Sequence, residues 1–301
     1  MYVSKIRMSP KVSICVPTYN RKDYLKETLD SVFSQTYKDY EVVVVDDGST
    51  DGTAEMLKQS NYPVRYYWQK NSGDAAARNK MIKLAQGEFI TFIDSDDLLM
   101  HDAVDRMMNV MEAEGGEVIV YGPYIRIDEN GHVYGRFKSR QYSGYIAKYL
   151  FQHIFVYSCG SMFPKKVLET ANGFDTSLPV CSDYDLWLRL SLKYRFVALA
   201  EPTFKRRRHT GNLSALSTEN HITELKVLER FYYERGGDSV VPKKIAMRRL
   251  SKEEYRVAIA ALRGKKSQIA HEYLRKSFRR YPNPKSLFMM LRAMLTNFLN
   301  F

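Results

Sequence analysis

Apolar positions along the first third of the chain alternate between two periods. Val12 to Val16 is a short apolar run closed by Pro17 and predicts a first strand. Leu25, Leu29, Val32 and Phe33 then recur at helical spacing, with Asp23 placed to cap the start. Glu41 to Val45 is too short and too β-branched for a helix. The turn-rich residues 46–52 start a second helix carrying Met56 and Leu57, and Pro63 to Trp68 predicts a third strand. A turn at Asn71, Ser72 and Gly73 opens a helix from Asp74 to Ala85. Phe89, Ile90, Phe92 and Ile93 then suit an interior strand of a parallel sheet, covered on both faces. Strands and helices alternating through short connections predict an α/β fold, wound by right-handed crossovers.

Past residue 97 the pattern shifts to antiparallel pieces. Val104 to Met111 reads as a helix, Val118 to Ile127 as one strand, and Glu129, Asn130 and Gly131 as a hairpin signal before a strand from His132 to Phe137. Tyr145 to Phe151 is helical and Ser161 to Phe163 extended, and Pro164 opens a helix that stops at Gly173. Asp183 to Leu192 is amphipathic, with Leu186, Trp187 and Leu190 on one face. Arg195 to Leu199 predicts a strand leading to the basic cluster 205–209. From Ser217 onward only helices are predicted, over 219–235, 251–263, 267–280 and 285–299, with the strongest break at Gly236, Gly237, Asp238 and Pro242.

Charge changes this picture at two places. The strand at 89–93 ends in Asp94, Asp96 and Asp97, and ligands in open α/β sheets bind beyond the carboxyl ends of strands. Three clustered acids repel one another unless a cation lies between them, so a hard divalent metal carrying phosphate oxygens competes with a plain acidic turn as the explanation. The second place is the carboxyl-terminal fifth. Residues 242–301 carry 15 Lys and Arg against 3 acids, which accounts for the whole net charge of +12, while residues 1–241 hold 31 of each sign. Such asymmetry implies an anionic partner for the tail, a lipid surface or nucleic acid. Leu287, Leu291, Met294, Leu295, Phe298 and Leu299 form an apolar stripe, with Lys285 and Arg292 off it. The stripe fits an interfacial helix on an anionic membrane; packing on neighbouring helices or on a second copy in a homo-oligomer is the alternative. Nucleic acid is disfavoured, because no aromatic platforms interleave the basic residues.

The 301 residues, 45% hydrophobic and 13% aromatic, suffice for one large α/β domain with an appendage. Cys15, Cys159 and Cys181 lie far apart and suggest neither a zinc ribbon nor a disulfide scaffold, which fits a reducing cytoplasm. The stretch MYVSKIRMSPKVSICVP has no apolar h-region or cleavage site, and nowhere do about 20 apolar residues run together. The expectation is a cytoplasmic protein, peripheral on the cytoplasmic membrane face.

VSICVPTYNR, VVVVDDGSTDGT, NSGDAAARN, FIDSDD, ANGFD, DYDLWLRL and RRHTGNLS follow one another in order. Together they resemble a family-2 glycosyltransferase of the bacterial surface-polysaccharide type, with the GT-A fold, across residues 11–216. The resemblance implies a Rossmann-like, mixed but mainly parallel sheet flanked by helices over 1–216, and the charge and helical pattern add a basic helical extension over 217–301. It implies a nucleotide-sugar donor, most readily a UDP-sugar, and a glycan or lipid-linked acceptor. Pro17, Thr18 and Tyr19 would neighbour the base and ribose, and Asp47 would accept from the uracil imide. Asn71 and Arg78 would face the nucleotide. Asp94, Ser95 and Asp96 carry the DxD pattern, with Asp94, Asp96 and His209 around Mn²⁺ or Mg²⁺, and Asp97 as a further ligand or support. Asp183 aligns with the second acid of the family's Glu-Asp pair and would be the catalytic base, the first acid being replaced by Ser182. Asp185 is the alternative base. Without a Gln-x-x-Arg-Trp signature, single or distributive transfers are expected. A nucleotidyltransferase of the same fold is disfavoured, since no GxGxR-type loop follows the first strand. A non-catalytic nucleotide-sugar or nucleic-acid binding module is the remaining rival.

Overall fold

A computed structural model describes residues 9–137, 140–209, 217–282, 284 and 288–289. In chain order the strands are β1 (Val12–Thr18), β2 (Tyr40–Asp46), β3 (Val64–Trp68), β4 (Phe89–Phe92), β5 (Leu98–Leu99), β6 (Ile119–Tyr121), β7 (Tyr124–Ile127), β8 (Val133–Arg136), β9 (Met162–Pro164), β10 (Phe196–Ala198) and β11 (Phe204–Arg207). The helices are α1 (Lys22–Phe33), α2 (Thr53–Gln59), α3 (Asp74–Leu84), α4 (Ala103–Ala113), α5 (Ala147–Gln152), α6 (Lys165–Thr170), α7 (Ser182–Ser191), α8 (Thr218–Glu234), α9 (Lys243–Arg263) and α10 (Ser267–Arg280). The chain divides into two units. One takes Met1–Ile146, Phe155–Thr176 and Lys193–Thr210, the other Ala147–Ile154, Ser177–Leu192 and Gly211–Phe301.

The first unit holds a seven-stranded sheet in the order β10-β6-β9-β4-β1-β2-β3. Only β9 runs antiparallel to its neighbours. All seven residues of β1 are buried, which is why its sequence is mostly apolar instead of alternating, with Ser13 and Thr18 its only polar residues. Pro17 does not close β1; it continues the strand and pairs with Val45. The missing N–H is harmless there. Cys15 bonds toward β4, through the Ile93 amide, and Pro17 two residues later turns to the same side, where pairing with β4 has already ended at Phe92.

A smaller sheet in the order β5-β11-β7-β8 stands beside these strands in sequence. The predicted single strand from Val118 to Ile127 is in fact β6 and β7, which enter different sheets. Gly122 and Pro123 make the break: a Cβ on Gly122 would lie 2.5 Å from the Thr203 side chain, and Pro123 has no N–H for a ladder. A second correction concerns Asp23, which lies within the first turn of α1 instead of capping it. The exposed Lys22 amide is taken by Asp51 from the loop after β2, at 2.9 Å.

In the second unit α8 packs on α9 and α9 on α10, with Leu228, Phe231, Leu250 and Val257 buried. The helix predicted from residue 251 begins at Lys243, because Ala246, Arg249 and Leu250 extend its buried stripe toward Pro242. The glycine pair 236–237 therefore lies inside this unit, between α8 and α9. The apolar stripe of Leu287, Leu291, Met294, Leu295, Phe298 and Leu299 lies outside the described residues. Among those described, no helix is long and apolar enough to cross a membrane.

Candidate functional site

Three parallel strands, β4, β1 and β2, deliver the polar residues of the first unit to one end of the sheet. At the end of β1, Thr18 is buried with its hydroxyl unpartnered, while Tyr19 is 48% exposed. At the end of β2, Asp46 accepts from the Tyr66 hydroxyl and the Ser49 amide, at 2.8 and 2.7 Å. Asp47 accepts more. Its Oδ1 takes Gln69 Nε2 at 2.7 Å and the Ser72 amide at 2.8 Å, and its Oδ2 takes the Gly73 amide at 2.8 Å. A carboxylate offers about four lone pairs, so one position on Oδ2 remains for a ligand donor. Gly48 permits this arrangement: with φ of +91° it lets the Asn71 backbone come within 2.9 Å of where a Cβ would stand. The Asn71 side chain itself is exposed.

Arg78, on α3, is 4% exposed. Its Nε donates to both oxygens of Asp74, and its second amino group reaches Asp94 Oδ1 at 2.5 Å. The guanidinium lies against the rings of Phe92 and Phe174, and its remaining Nη1 is buried without a partner. Phe174 is itself anchored by Asn79, which gives and takes a hydrogen bond with that residue's backbone at 2.8 Å each way. The ANGFD motif is thus the bed on which Arg78 rests.

The acids after β4 occupy the junction between the two sheets, since β5 follows at once and pairs with β11. Burial opposes ionisation of Asp94, but Arg78 and a hydrogen bond with Cys159 overcome it and hold the carboxyl below the usual range. Asp97 goes the other way. Burial, with Asp96 and Asp94 adding repulsion, pushes it well above the carboxylate range. Its Oδ1 accepts the Arg207 amide at 2.8 Å, so it fastens β11 to the acidic turn. Arg207, 1% exposed, completes the fastening through Nε to the Asp96 carbonyl, Nη1 to the Glu129 carbonyl and Nη2 to Glu27.

This pairing brings His209 to Asp96 across 113 residues of sequence. His209 Nε2 lies 2.8 Å from Asp96 Oδ2. Arg21 joins both, in an ion pair with Asp96 and with its Nη1 2.7 Å from His209 Nε2. A carboxylate oxygen and an imidazole nitrogen converging on one cationic nitrogen make a donor set that fits Mn²⁺ or Mg²⁺. Asp94 falls in a different cluster, with Asp97 and Cys159, whose ligand atoms lie within 4.8 Å of one another. Burial, with the neighbouring acids, pushes the Cys159 thiol, like the Asp97 carboxyl, well above its ordinary value in the absence of a cation. Ser95 is buried beside these acids.

Asp183 belongs to the second unit, where it stands half-buried in the first turn of α7 and accepts the Tyr184 amide at 2.7 Å. The residue before the helix is Cys181, in a left-handed conformation. Asp185 is 1% exposed and is engaged by Arg189 at 2.9 Å and by Arg235. Its carboxylate is bound into the unit's framework. His221, Glu224 and Glu253 also cluster here, but Arg249 bridges the two glutamates at 2.5 and 2.6 Å and supplies the cation.

Sequence reasoning passed over Arg21, Gln69 and Asn79. Arg21 stands inside the PTYNR motif, where its position was visible and its partner was not.

The sequence profile described as Glycosyl transferase family 2 matches residues 13–170. An uncharacterized glycosyltransferase of Rickettsia typhi is 34% identical over 194 residues, covering 62% of this chain and 61% of the relative's own length. The chain therefore spans about three fifths of that relative. Among solved structures, S. aureus TarS in complex with UDP-GlcNAc superposes with a TM-score of 0.64 at 18% identity, over 90% of this chain and 82% of that one. The mannosyltransferase PcManGT of Pyrobaculum calidifontis, in complex with GDP-Man and Mn²⁺, gives 0.56 at 18%, over 96% and 80%.

Proposed function

Because this chain belongs to Glycosyl transferase family 2 and has the GT-A fold, we propose that it transfers a sugar, with inversion, from a UDP-sugar to a glycan or lipid-linked acceptor in surface polysaccharide or glycolipid assembly. The observation that carries this reading is the convergence of Asp96 and His209 on one cationic position at the strand ends where a nucleotide would lie. Similar solved structures are complexes with UDP-GlcNAc and with GDP-Man and Mn²⁺, which supports a nucleotide-sugar donor and a divalent ion. In this reading Thr18 and Tyr19 flank the base, the open lone pair of Asp47 accepts the uracil imide, and Asn71 faces the nucleotide. Arg78 would face the nucleotide, and it holds Asp94 below the usual carboxylate range. Asp96 and His209 would hold the metal, which when bound neutralises the charge developing on the departing diphosphate. Arg21, which pairs with Asp96 and His209 in this structure, would give up that position to a bound ion. Asp183 would be the general base that removes the acceptor hydroxyl's proton. Its half exposure leaves the carboxylate reachable, whereas Asp185 is locked between arginines.

We assign the protein a cytoplasmic location, peripheral on the membrane face through the basic tail; truncation combined with lipid flotation addresses this below. The test of the reaction is nucleotide release from a panel of nucleotide sugars with Mn²⁺, Mg²⁺ or chelator. Release from a UDP-sugar that chelator abolishes is the expected result. Asp183→Asn should keep donor affinity and lower transfer by roughly a hundredfold or more, as expected for loss of a general base. Full transfer by that variant removes Asp183 from the role.

A further inference from the structure

A cavity of about 210 Å³ on the smaller sheet is lined by Tyr124, Arg126, Tyr134, Arg206, Arg207 and Arg208. The parallel register of β11 on β7 sets Arg206 directly beside Arg126. Like charges at such paired positions repel and destabilise a sheet. Arg207 is committed to the Asp96 and Glu129 carbonyls and to Glu27. The other three are different: among the described residues, Arg126, Arg206 and Arg208 make no ion pair with any carboxylate. Arg206 lies instead over the rings of Tyr124 and Tyr157, at 5.7 and 5.4 Å from their centroids, which fixes its guanidinium without neutralising it. Arg126 is exposed in the middle of its strand. A concave site with three guanidiniums that make no direct ion pair, Arg206 feeling Asp97 only at longer range, and with two tyrosines, suits an oxyanion, whose oxygens match the planar guanidinium fork.

We propose that this pocket binds an oxyanion carried by the acceptor, a phosphodiester or a carboxylate, and so selects acidic acceptor chains. The assignment to the acceptor rests on the glycosyltransferase reading. One feature separates the pocket from the donor's diphosphate. It lies on the smaller sheet, while Thr18, Asp47 and Asp94 cap strands of the larger one. Yet β11 ends two residues before His209, so an anion held here travels with whatever group approaches the donor site.

The test is titration calorimetry on the full chain at constant ionic strength, with UDP and Mn²⁺ already saturating. The probes are glycerol phosphate, methyl glucuronide and, as the neutral control, methyl glucoside. Saturable binding of one anion and not of the glucoside is expected, and which anion binds names the acceptor chemistry. Arg126→Ala should weaken that binding about tenfold or more, the usual scale for a lost charge-assisted hydrogen bond. Arg126→Lys should recover part of it, and UDP affinity should stay within about twofold in both variants. No saturable anion binding overturns the proposal. So does an equal loss of UDP affinity in Arg126→Ala, which would make these arginines part of the donor site. A wild-type protein that binds the anion but not UDP supports the pocket and overturns the donor reading that ties it to an acceptor.

Discussion

Glu253 and Asp97 are both buried carboxyls, and their neighbours drive them in opposite directions. Beside Asp97 stand two more acids, and burial with that repulsion raises its pKa. Glu253 meets burial too, but the His221 hydrogen bond and the Arg249 guanidinium override it and hold the carboxyl at about 2. A depressed native pKa stabilises the fold above the unfolded value near 4.5, and that contribution is lost as pH falls toward about 2. Chemical denaturation of the wild type should therefore show stability declining by on the order of 2–3 kcal/mol across that window. Glu253→Gln should be less stable at neutral pH and decline less steeply over the same range. An unchanged acid limb in the variant would mean that other carboxyls govern it. No periodicity announces such a network, because Glu253 reads as an ordinary polar helix position until α8 is packed against it.

At the scale of elements, the strand ends were legible because chemistry is written there in short runs, DDGST after β2 and DSDD after β4. What hid from the sequence was pairing. The residues of β11, FKRR, look like a solvated basic cluster, yet Arg207 is buried and its strand links the acidic turn to His209. Val118 to Ile127 looked like one strand because its apolar pattern runs on through Gly122 and Pro123, and only the two sheets together show why it must break. Asn79 shows the same limit. On α3 it is one polar residue among several, and only the turn at Phe174 gives it a function. Asn79→Ala removes both of its bonds to that turn and should cost about 1–3 kcal/mol, measured by denaturant unfolding. It should also weaken UDP binding, by loosening the aromatic bed of Arg78. A variant with unaltered UDP affinity would show that Arg78 is positioned by its acidic partners alone.

For the molecule as a whole, neutral and basic parts of the chain do different work. Residues 1–241 balance their charges, and the surplus of +12 lies beyond them. Part of that surplus is spoken for inside the second unit, where Arg249 and Arg280 bind Glu224, Glu253, Glu229 and Glu254. A protein ending before residue 284 should float less with vesicles containing anionic lipid than the full chain does, and the difference should shrink at high salt. Equal flotation would assign membrane contact to other residues or to none.

The central claim is that Asp96 and His209 share one divalent ion beneath the donor's diphosphate. It is tested most directly by calorimetric titration of UDP into the wild type and into His209→Ala, with Mn²⁺ and with chelator. The account predicts that Mn²⁺ tightens UDP binding at least about tenfold in the wild type and that most of this gain vanishes in the variant, as expected when one of few metal ligands is lost. UDP affinity indifferent to Mn²⁺, or a gain that survives intact without His209, would contradict it.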